Sequence, residues 1–255
     1  MERIAAGEEA DGPLEHWSLI EALKKLEEDK PSDVGRLVRL EFGLFRALGY
    51  GNKDVAASLF EAVTTHPRWF VDLVCMAFKG EKEPRAEPQE HEVQAARISY
   101  DILHHCRRVP GTRPDGTVDG ESLRAFVEEA RRIYGDADRL AIGDQQLGGI
   151  LAYAPTDADG TWPCLAVADV LDRLDLEEVR TGFRVGAFNK RGCHSRELHE
   201  GGAQERVLAE TYRGHARRFH NSHPLLASAL DDLADGYEQD ARREDDRARL
   251  RRDEA

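Results

Sequence analysis

Two apolar stripes held apart only by Asn221 to Pro224 constrain this chain more than any other feature. Leu208, Tyr212, Ala216 and Phe219 recur at helical spacing, and so do Leu226, Leu230, Leu233 and Tyr237. Such spacing lines one face of an α-helix. A connection this short lets two long helices lie only antiparallel, stripe against stripe. Past Tyr237 the apolar face thins to Ala241, Ala248 and Leu250. There Glu238 with Arg242, and Asp245 with Arg249, stand in the order that favours an exposed helix. The end of the chain is therefore expected to be helical but fraying.

The same period runs through the rest of the chain, without convincing strand alternation. Leu14, Trp17, Ile20 and Leu23 begin it, and Leu37, Leu40, Leu44 and Ala47 continue it after a cap at Ser32 or Asp33. Asn52 can cap the helix of Val55, Leu59 and Val63, and Pro67 opens that of Phe70, Leu73, Val74 and Ala77. Further stripes are Val93, Ala96, Tyr100 and Leu103; Leu123, Phe126, Val127, Ala130 and Tyr134; and Leu140, Leu147, Ile150 and Leu151. Pro163 is expected to open a helix of Val167, Val170 and Leu174, followed by one of Val179, Phe183 and Ala187 that stops near Gly192. The fold class is all-α. An irregular bundle and a degenerate helical-repeat array both fit, each ending in the long antiparallel pair. The expected organisation is a helical segment over 1–80, a linker or exposed loop over 81–90, and a helical domain over 91–255.

A net charge of −13 argues against a dedicated nucleic-acid binder, because phosphate rewards clustered Lys and Arg. A local basic patch remains compatible with an acidic chain. No apolar run is long enough to cross a membrane, and no apolar signal core follows Met1. These features predict a cytoplasmic location. Cys75, Cys106, Cys164 and Cys193 form no CxxC pair, and in that compartment they are expected to be reduced.

Several clusters invite chemistry. The run Asp115-Gly116-Thr117-Val118-Asp119 resembles the start of a calcium loop, but Phe126 stands where the bidentate Glu is required. It reads instead as a turn, with Asp119 capping the next helix. Asp157-Ala158-Asp159-Gly160 reads the same way. His104, His105 and Cys106, with Cys193, His194 and His199, are zinc-ligand types at spacings that do not converge on one helix face. Ser195 lies near His194 and His199 without a nucleophile signature. No catalytic residue, metal or cofactor follows from these letters. The most unusual stretch holds Lys190, Arg191, Gly192 and Arg196, then Gly201 and Gly202 ahead of a helix. Glycines before a helix N-terminus suit an anion or a partner's carboxylates. They equally suit a turn, with the cations paired to Glu197, Glu200 or Glu205.

Longer strings carry a resemblance. Pro67-Arg68-Trp69-Phe70-Val71-Asp72-Leu73-Val74, Arg107-Arg108-Val109-Pro110-Gly111-Thr112 and Asp115 to Asp119 are three of them. The others are Phe188-Asn189-Lys190-Arg191-Gly192, Gly201 to Arg206 and Tyr237 to Asp245. Together they resemble the C-terminal region of large, mostly uncharacterised bacterial helical-array proteins associated with antiviral defence or signalling loci. The resemblance implies a stand-alone version of that region or the C-terminal piece of a longer chain. It brings no catalytic residue. The expected function is a non-catalytic helical protein–protein interaction or scaffold module with a protein partner. Two alternatives stay open. One is a nucleic-acid-contacting subunit of a ribonucleoprotein, using Lys190 to Arg196 with Arg213, Arg217 and Arg218. The other is a metal-dependent enzyme subunit using the His and Cys clusters.

Overall fold

The computed structural model describes residues 21–23, 25–26, 34–46, 56–84, 87–192 and 200–253. Within them the chain forms α1 (Val34–Leu44), α2 (Ala57–Thr65), α3 (Pro67–Ala77), α4 (Glu90–His105) and α5 (Gly120–Asp136). After these come α6 (Leu140–Leu151), α7 (Leu165–Leu171), α8 (Glu177–Asn189), α9 (Ala203–Phe219) and α10 (Pro224–Asp253). No strand occurs among the described residues; the one isolated bridge pairs Thr112 with Val118. The fold is all-α. Leu14, Trp17, Ile20, the expected caps at Ser32, Asp33 and Asn52, and Arg196 lie outside the described residues, as do Cys193, His194, Ser195 and His199.

The chain divides into two compact units, Met1–Gly111 with Arg124–Gly143, and Thr112–Leu123 with Asp144–Ala255. The division does not fall at 81–90. That stretch lies inside the first unit, because α3 and α4 on either side of it pack together.

In the first unit each helix packs on its successor from α1 to α4. Leu37, Leu40 and Leu44 of α1 and Leu59 and Val63 of α2 are buried as their spacing predicts. Between them Glu41 is fully buried, and its carboxylate accepts the Leu59 N–H at 2.6 Å. A side chain of α1 thus satisfies a first-turn amide of α2 that no residue of α2 itself can reach. Phe70 of α3 meets Phe126 and Tyr134 of α5, with ring centres 6.0 and 6.4 Å apart.

In the second unit α9 and α10 form the expected antiparallel pair, joined through residues 220–223. Phe219, Leu226, Leu230, Leu233 and Tyr237 are buried in it, as are Ala209 and Ala216. Leu208 and Tyr212 are only partly covered. Helices α6 and α8 approach backbone to backbone. A Cβ on Gly148 would collide with the Val179 carbonyl, and one on Gly182 with that of Gln145. Helix α7 is shorter than its stripe suggested. It starts at Leu165, where Asp157 accepts the amide, and ends at Leu171, so Leu174 is highly exposed rather than buried. Asp172 and Arg180 brace the turn that follows. Asp172 accepts the Leu225 and Leu226 amides at the start of α10, and Arg180 donates to the Leu171 and Arg173 carbonyls.

Candidate functional site

The turns read from Asp-Gly pairs are turns. Asp115 accepts the Thr117 amide, Gly116 takes a positive φ, and Asp119 accepts the Ser122 amide at 2.7 Å in the first turn of α5. Cys106 ends α4, and burial pushes its thiol up to about 12. His104 is exposed, and His105 bonds the Asp101 carbonyl one turn back. Among the described residues no three His, Cys, Asp or Glu side chains converge as a metal site.

The basic, glycine-marked stretch is drawn together, but onto its own unit. Lys190 follows the end of α8. Its ammonium donates to the Ala152 carbonyl at 2.9 Å and lies 4.9 Å from the centre of the Trp162 ring. Burial lowers its pKa from the ordinary lysine value. Arg191 pairs with the buried Glu205 at 2.6 Å and lies over Tyr237. Gly192 adopts φ +64°, the left-handed geometry that closes a helix. Gly201 does likewise at φ +65°, and the Gly202 amide donates to Asp245 at 2.9 Å. Asp245 is thus engaged with Gly202 and Arg206, in place of a pair with Arg249 alone. The two cations cap a run of aromatic contacts through Phe188, Tyr237, Tyr212, Trp162 and Phe183. Arg213, Arg217 and Arg218 are engaged as well, with Asp235, Glu210 and Thr161.

One arrangement absent from the sequence reading is a line of Ser222, His223 and Asp169. His223 Nδ1 lies 2.8 Å from the Ser222 hydroxyl, and Nε2 lies 3.0 Å from Asp169. A hydrolytic serine also needs amides free to hold an oxyanion. Here the Ser222 and His223 amides both donate to the Phe219 carbonyl, and those of Leu225 and Leu226 go to Asp172. The array ties the turn between α9 and α10 to α7.

A concave surface lies in the first unit. Helix α4 carries two apolar stripes. Ile98, Ile102 and Leu103 are buried, with Ser99 between them. Of the spaced residues Val93, Ala96, Tyr100 and Leu103, the last is buried and the other three line a half-open groove of about 760 Å³. Met76 and Phe78, at the end of α3, form its facing wall. Tyr100 is 49% exposed and Met76 42% exposed. The Tyr100 ring is nonetheless braced, stacked on His104 at 6.1 Å and edge-on to Phe78 at 6.2 Å.

The wall of the groove is held by Arg139, whose side chain is 13% exposed. Its guanidinium donates to the Phe78 carbonyl at 2.9 Å, and also to the Ala137 carbonyl and the Glu83 carboxylate. The Gly80 amide and then Arg139 hold Glu83 below the usual carboxylate range. Asp138, at φ +61°, accepts the Lys82 amide and adds a second tie to the same segment. At the other end of the loop, Gln89 and Glu92 close a capping box that starts α4. No protein-family model, curated protein or solved structure matches this chain.

Proposed function

We propose that this chain is a non-catalytic helical docking module that receives a segment of a partner protein in the groove between α3 and α4. One observation carries the reading. The second stripe of α4 is as regular as a core stripe, yet Tyr100 and Met76 stand open at the lip of a preformed concavity. Interface cores are enriched in aromatic residues and Met, and a braced Tyr supplies area at little entropic cost. The resemblance to bacterial helical-array proteins supports placing the module in an antiviral defence or signalling assembly. A nucleic-acid role gains less support, because Arg191, Arg213, Arg217 and Arg218 are already engaged with neighbours in the chain.

The test is quantitative recovery of partner from the source cell by wild type, by Tyr100→Glu and by Lys190→Gln. Both variants should retain wild-type helicity by circular dichroism. Wild type and Lys190→Gln should recover the same identified partner, and Tyr100→Glu should lose it. Equal recovery by Tyr100→Glu would remove the groove from the account. Loss by Lys190→Gln alone would return the basic stretch as the contact surface.

A further inference from the structure

We draw no further inference here: the strongest candidate, the half-open groove between α3 and α4, belongs to the site already described, and with Glu87 and Glu92 offset by Lys79 and Arg97 along its lining, nothing in the structure shows what covers it.

Discussion

At the scale of single residues, two buried carboxylates organise the chain. Glu205 is 1% exposed and meets Arg191 at 2.6 Å. Removing one member of such a pair leaves the other charge buried and uncompensated, which costs about 3–5 kcal/mol. Arg191→Gln should therefore lower stability by about 3 kcal/mol in urea denaturation. Arg217→Gln, which breaks the exposed pair with Glu210, should leave the midpoint within error. Little change on Arg191→Gln would show that Arg191 is free to serve a partner after all. Glu41 plays the matching part in the first unit. Glu41→Ala removes the acceptor of the Leu59 amide in a dry site and should cost about 1–3 kcal/mol. Neither partnership was legible in the sequence as a pair. Arg191 and Glu205 were both in view, and Glu205 was one of three acids that could have answered the cluster. Glu41 stands four residues after Leu37, so spacing places it on the apolar face, but its acceptor role depends on where the next helix begins, which spacing does not tell.

At the scale of elements, periodicity was a good guide where one face of a helix is covered and a poor one where two are apolar. The stripes of α5 and of the α9–α10 pair are buried largely as spaced, because each helix has one apolar face. Leu230→Ala, at a fully buried position, should cost about 2–5 kcal/mol. On α4 the spaced set Val93, Ala96, Tyr100 and Leu103 competes with Ile98 and Ile102, and tertiary packing covers Ile98, Ile102 and Leu103 while sparing Val93, Ala96 and Tyr100. The spared set is the groove. The α6–α8 contact was invisible for a different reason: it rests on Gly148 and Gly182, which carry no apolar signal but allow backbone approach. Gly182→Leu has no space to enter and should abolish cooperative unfolding in thermal circular dichroism. Acid should act on elements too. Asp245, held low first by Arg206 and then by the Gly202 amide, docks the start of α9 on α10. A carboxylate depressed in the folded state contributes stability above its unfolded pKa, and that stability is lost as pH falls through the folded value. The melting midpoint should therefore drop below the usual carboxylate range. Asp245→Asn should blunt the drop, and an unchanged pH profile would deny Asp245 this role.

At the scale of the whole molecule, the chain is acidic and helical, and Lys190, Arg191, Arg139 and Arg180 are among the basic side chains that brace its own elements. In the first unit Met76 and Tyr100 stand exposed at the lip of a preformed groove. Two anchored segments frame that surface: the Phe78–Glu83 stretch clamped by Arg139, and the capped start of α4. Such a site needs little rearrangement on binding, so protection should be local. The measurement that bears most directly on this claim is amide hydrogen exchange of the full chain, alone and with the partner recovered from the source cell. Slowed exchange is expected only in α4 and in the loop joining it to α3, with α9 and α10 unchanged. Protection on α9 and α10 with none at α4 would contradict it.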